Sequence, residues 1–78
     1  MKEVFVKKHW PEDNILFYIH FQDGKAVRQI EVSPNGKKHL SVENPTDGDS
    51  MLYDQGFETL DLEEKDLISK EEFEKSWK

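Results

Sequence analysis

The run Ile15-Leu16-Phe17-Tyr18-Ile19-His20-Phe21 carries an apolar side chain at every odd position and a mixture at the even ones, and it lies between two stretches built to turn. A period of two is the repeat of a strand with one buried face, and β-branched and aromatic side chains suit its pleat. Such a strand persists only within a sheet that has an apolar cover, so the remainder of the chain must supply neighbours and a lid. Ile15, Phe17, Ile19 and Phe21 are the expected core row.

The neighbours are legible on both sides. Val4, Val6, Lys8 and Trp10 share one side of an extended segment that ends at Pro11-Glu12-Asp13-Asn14, with Phe5 and Lys7 on the other side. Gln22-Asp23-Gly24-Lys25 reads as a hairpin turn into a third strand, Ala26 to Val32, with Ile30 and Val32 inward. Arg28 shares that row, which predicts a stem lying over apolar surface and a guanidinium holding a carboxylate, either Glu31 or one from the acidic half, with an exposed contact to a partner or anionic ligand as the alternative. Ser33-Pro34-Asn35-Gly36 turns the chain again, and Lys37 to Val42 returns with Leu40 and Val42 inward. Glu43 to Ser50 is a surface loop or turn cluster. The apolar spacing of Met51 to Leu60 fits a short helix up to Gly56 and an edge strand beyond it, and both remain open.

The C-terminal segment carries three agreeing local signals. Ser69 is an N-cap, Glu72 is its capping-box partner, and Ile68 can staple onto Phe73. Lys70 to Lys78 then gives two turns of helix with Phe73 and Trp77 on one face, too short to be stable unless that face lies on the sheet. The expectation is one α+β domain over residues 1–78: a twisted antiparallel sheet of about four strands packed against a short C-terminal helix. The helix is expected on the Ile15–Phe21 row, leaving open a semi-apolar face of Phe5, Leu16, Tyr18, His20, Val27, Gln29 and Glu31.

Charge narrows the partners. Of 78 residues 36% are charged, with a net charge of −6. Residues 1–42 carry seven basic and five acidic groups, whereas residues 43–78 carry four basic and twelve acidic. An acidic surface repels phosphate backbones and favours basic proteins, so no nucleic acid is expected. Without cysteine there is neither a disulfide nor a thiolate metal site. No stretch reaches the roughly 18 to 20 apolar residues of a membrane span, and the cytoplasm is the default compartment.

Chemistry finds little purchase. His9, His20 and His39 have no metal-ligand spacing, and all three are expected to point away from the helix-covered face. Asp47-Gly48-Asp49 with Glu43 fails as a calcium loop, because Pro45 falls where an oxygen ligand is needed. Asp61, Glu63, Glu64 and Asp66 form a charge run of the kind that is solvated, not a cleft pair. The serines have no histidine at a helpful spacing, and Gly24, Gly36, Gly48 and Gly56 are isolated, which rules out a phosphate loop. No cofactor, metal or enzymatic activity is expected.

Trp10-Pro11-Glu12, Leu16-Phe17-Tyr18, Arg28-Gln29-Ile30-Glu31-Val32 followed by Asn35-Gly36, and Ile68-Ser69-Lys70-Glu71-Glu72-Phe73-Glu74-Lys75-Ser76-Trp77 together resemble a family of small uncharacterised bacterial proteins. The resemblance spans most of the chain and implies a small α+β fold with no catalytic residues to carry over. In size and organisation it is also similar to immunity-type proteins that neutralise toxins.

These readings converge on an interaction module for a basic partner, with Tyr53, Asp54, Phe57, Glu58, Asp61 and Glu63 as candidate contact residues, since aromatics interleaved with carboxylates combine anchor and steering. The alternative is a homodimer through the open sheet face around Phe5, Leu16 and Val27.

Overall fold

The computed structural model describes residues 2–12, 14–34, 36–48, 50–53, 56 and 63–77. Four long strands come first: β1 (Glu3–Trp10), β2 (Ile15–Gln22), β3 (Lys25–Ser33) and β4 (Gly36–Ser41). The short β5 (Thr46–Asp47) and β6 (Ser50–Met51) pair with each other, so the polar stretch after β4 is an ordered hairpin. A 3-10 turn over Glu64–Asp66 leads into β7 (Leu67–Ile68) and the helix α1 (Lys70–Trp77). The main sheet is five-stranded in the order β4-β3-β2-β1-β7, with every pair antiparallel. The α+β architecture expected from the sequence is therefore present, with β7 added at the edge. No helix among the described residues is long and apolar enough to cross a membrane.

The turns follow local chemistry. Gln22 pairs with Lys25, and the two residues between them, Asp23 (φ 53°) and Gly24 (φ 87°), both take positive φ, the requirement of a type I′ hairpin. At the next hairpin Ser33 pairs with Gly36, which places Pro34 at the first corner. The pyrrolidine fixes φ near about −65°, so a type I′ corner is barred, and the positive φ passes to Gly36 (φ 134°). Asn35 lies outside the described residues.

The helix covers the opposite sheet face from the one the alternation predicts, and a single irregularity explains half of the difference. The tight turn sets Phe21 opposite Ala26, a register that would continue to Phe17 opposite Ile30. A β-bulge at Val27 shifts it by one, so that His20 faces Arg28, Tyr18 faces Ile30 and Leu16 faces Val32. Because side chains alternate, a one-residue slip turns the whole of β3 over. Ile30 and Val32 therefore join the even row of β2, not its odd row. The remainder follows from β7: Ile68 pairs with Phe5, and the chain leaves it for α1 on the Phe5 side.

Two clusters result, one on each side of the sheet. Phe5, Tyr18, Ile30 and Phe73 are buried together beneath α1, with Leu16, Val32, Ile68 and Trp77 packed against them. On the other side Val6, Ile19, Phe21 and Ala26 are buried, with Val4, Phe17, Leu52 and Tyr53 around them. Leu40, opposite Gln29, is fully buried as expected, but Val42 falls beyond β4 and is exposed, and Trp10 is 44% exposed with its ring edge-on to Phe17. Phe5 is thus buried beneath α1, while Leu16 and Val27 of the same expected face are only half-buried.

Candidate functional site

The junction between α1 and the sheet holds the most organised polar chemistry among the described residues. Ser69 caps the helix: its Oγ accepts from the Glu72 backbone N–H at 3.1 Å. The Glu72 carboxylate extends toward Lys7 at 3.8 Å, and Ile68 packs in the same cluster as Phe73, as a staple should. This anchoring directs the next residues of the helix across β2 and β3.

Beneath it lies a chain of four charged or ionisable groups. Arg28, on β3, donates from Nε to His20 Nδ1 at 3.1 Å, and its terminal nitrogen meets Glu74 Oε1 at 2.6 Å. The Glu74 oxygen is enclosed, and what it faces is the Arg28 guanidinium. The guanidinium lies 4.9 Å from the Phe73 ring centre and 5.2 Å from that of Trp77. His20 is stacked on Phe5 at 4.3 Å and is only 4% exposed. With Nδ1 accepting, the proton of the neutral ring is on Nε2, which donates to Glu3 Oε1 at 3.1 Å. The order across the sheet is Glu3, His20, Arg28, Glu74.

The electrostatics agree with that order. Burial first, and the Arg28 charge second, hold the His20 pKa below its ordinary value against the opposing pull of Glu3 and Glu74. Glu3 is held low by its hydrogen bonds from Gln22 and then His20, and Glu74 by its contact with Arg28. Both nitrogens of His20 are engaged, Nδ1 by Arg28 and Nε2 by Glu3. Arg28 does lock a carboxylate of the acidic half, Glu74; Glu31 is on the opposite face, where it accepts from Gln29 and from the Ser50 hydroxyl at 3.0 Å each.

The three histidines share a face, but it is the face that α1 covers, contrary to expectation. His39 lies edge-on to Trp77 at 5.1 Å, while the exposed His9 faces Asn14 Oδ1 at 3.4 Å. Among the described residues no three His, Asp or Glu side chains converge to hold a metal ion.

Of the candidate contact residues, Tyr53 and Glu63 are described; Asp54, Phe57, Glu58 and Asp61 lie outside the described residues. Tyr53 is half-buried, edge-on to Phe21 at 6.2 Å, and its backbone N–H donates to the Gln29 side chain at 2.9 Å. Gln29, 3% exposed, also donates to the Met51 carbonyl at 3.2 Å and so pins the segment after β6 to the sheet. Glu63 is exposed beside Lys65 at 3.2 Å. Its near neighbour Asp66 is turned inward, accepting from the Glu63 N–H at 2.9 Å and facing Lys8 at 3.5 Å, and both contacts hold its pKa low, the backbone bond foremost. An open groove runs beside them between Lys7, Lys8, His9, Leu16, Glu63 and Asp66. Sequence reasoning missed the roles of Gln29, His20 and Glu3; the one signal pointing toward them is Arg28, a lone arginine on an otherwise apolar row.

No family model, curated protein or solved structure matches the chain.

Proposed function

We propose that the chain is an interaction module that binds a basic protein partner through the carboxylates of its C-terminal half, as an immunity-type or regulatory protein masking a positive surface does. The observation that carries this reading is a division of labour among the acidic groups. Asp66 and Glu74 face Lys8 and Arg28, while Glu63, Glu64, Glu71 and Glu72 are exposed. The inward carboxylates fix the segment and its exposed neighbours project a negative field from it, which accelerates encounter with a cation-rich surface. Affinity then depends on a few anchors; Tyr53 and Phe57 are the aromatic candidates, with Asp54, Glu58, Asp61 and Glu63 around them.

Co-purification of the tagged protein from its native host, with mass spectrometry of what accompanies it, tests the reading. The expected outcome is a basic protein whose association slows steeply with salt and weakens on charge reversal of Asp54, Glu58, Asp61 and Glu63. Recovery of the protein alone, or of a complex indifferent to salt and to those reversals, would overturn it.

A further inference from the structure

We propose that His20 is a proton-operated latch on the C-terminal helix: a proton taken up at Nδ1 expels the Arg28 guanidinium and frees α1 from a sheet that otherwise stays intact. The argument begins with the lone pair. In the closed state Nδ1 accepts the Arg28 Nε–H at 3.1 Å, so the ring must be neutral there. One proton from solvent adds to that nitrogen and no other bond is made or broken. Two N–H groups and two positive charges then face each other where an acceptor faced a donor, a conflict that favours separation.

The two sides of the junction respond differently, which makes the event local. On the sheet side the imidazolium keeps its Nε2–H contact with Glu3, and that pair gains strength as the ring becomes charged. Glu3 is in β1 and His20 in β2, so the gain belongs to the sheet. On the helix side Arg28 is the more enclosed of two polar ties, the other being the exposed Lys7–Glu72 pair: its charge lies against Glu74 and over Phe73 and Trp77. Moving it disturbs all three contacts at once. The remaining charge that faces the group from α1 is Lys70, which acts on Glu3 and Glu74 and is itself a cation, so it gives no relief to a protonated ring. Phe5 and Phe73 complete the surroundings with rings at 4.3 and 5.7 Å, whose faces offset only part of the hydration that a charged imidazole loses on burial. The direction of the His20 pKa agrees: burial and Arg28 depress it in the closed state, and opening removes both. Between the two values the open state binds more protons, so the latch holds above the usual histidine pKa of about 6.5 and loosens as pH falls below it.

The test is residue-resolved amide exchange from pH 7.5 to 5, corrected for intrinsic rates, alongside NMR titration of the His20 ring in the same samples. Protection of α1 amides should fall by up to about tenfold per pH unit from about pH 6.5 down to the midpoint of the His20 ring titration and level off below it, with β2 and β3 protection retained. His20→Gln offers Arg28 an oxygen and Glu3 an N–H at every pH, and should abolish the pH dependence of α1. The proposal fails if α1 protection is unchanged while His20 titrates, if helix and sheet lose protection together, or if His20→Gln behaves as the natural chain does. Should that variant not fold, selective α1 exchange that rises below about pH 6.5 and levels off at the His20 titration midpoint in the natural chain decides alone.

Discussion

Arg28 occupies a place that a lysine could not fill. Its Nε serves His20, its terminal nitrogen serves Glu74, and its flat guanidinium lies between the sheet and two aromatic rings. An ammonium is a single point on a flexible stem, so Arg28→Lys can restore the ion pair or the histidine contact but not both, and it loses the stacking. We expect Arg28→Lys to lower stability by about 1 to 2 kcal/mol, chiefly through the lost His20 bond and the weaker cation–π contact, read as a fall in the urea midpoint with little change in slope. A midpoint within error of the parent would mean that the stacked geometry contributes nothing. The sequence shows why Arg28 was legible and His20 was not. An arginine on an apolar row needs a carboxylate wherever the row faces, whereas the contact between His20 and Arg28 exists only because the bulge at Val27 places them opposite each other.

The helix α1 illustrates the opposite case, a unit specified by its own neighbours. The cap, the staple and the pair Phe73 and Trp77 are set by residues within about two turns, and each is found where local chemistry places it. Their contributions are unequal. Phe73 is fully buried between Phe5 and the Arg28 guanidinium, while Trp77 is half-buried and stacks on Phe73 at 6.0 Å. Phe73→Ala should therefore cost about 3 to 5 kcal/mol and Ser69→Ala about 1, with Trp77→Ala between them because part of its ring is already in water. Denaturant midpoints for the three variants give the order, and Trp77→Ala exceeding Phe73→Ala would contradict it. What the sequence could not give is the side on which the helix lands. That depends on Ile68 pairing with Phe5, a contact spanning 63 positions whose partner strand has only two residues.

The molecule is a sheet with a different cover on each side, and the covers are held by adjacent residues of one strand. Arg28 and Ile30 of β3 face α1, while Gln29 between them faces the end of β6 and the residues after it, where its side chain holds the Met51 carbonyl and the Tyr53 N–H. The same alternation places Tyr53 on the face away from α1, where Gln29, 24 positions earlier, holds its backbone N–H, and that is why its half-burial could not be read from the Tyr53–Asp54 spacing. Loss of the Gln29 amide leaves two backbone groups without their partners, so Gln29→Leu should cost about 1 to 3 kcal/mol even though leucine is of similar size. Ser69→Ala acts on the far face through the helix cap, and the two sites share no hydrogen-bond partner and no cluster. If the sheet separates the two covers, the stability changes of Gln29→Leu and Ser69→Ala should add to within about 0.5 kcal/mol in the double variant. Arg28→Lys combined with Glu74→Gln, which act on one contact, should fall well short of additivity and serves as the internal comparison. A Gln29–Ser69 coupling as large as that of the Arg28–Glu74 pair would mean that the sheet transmits one cover's state to the other.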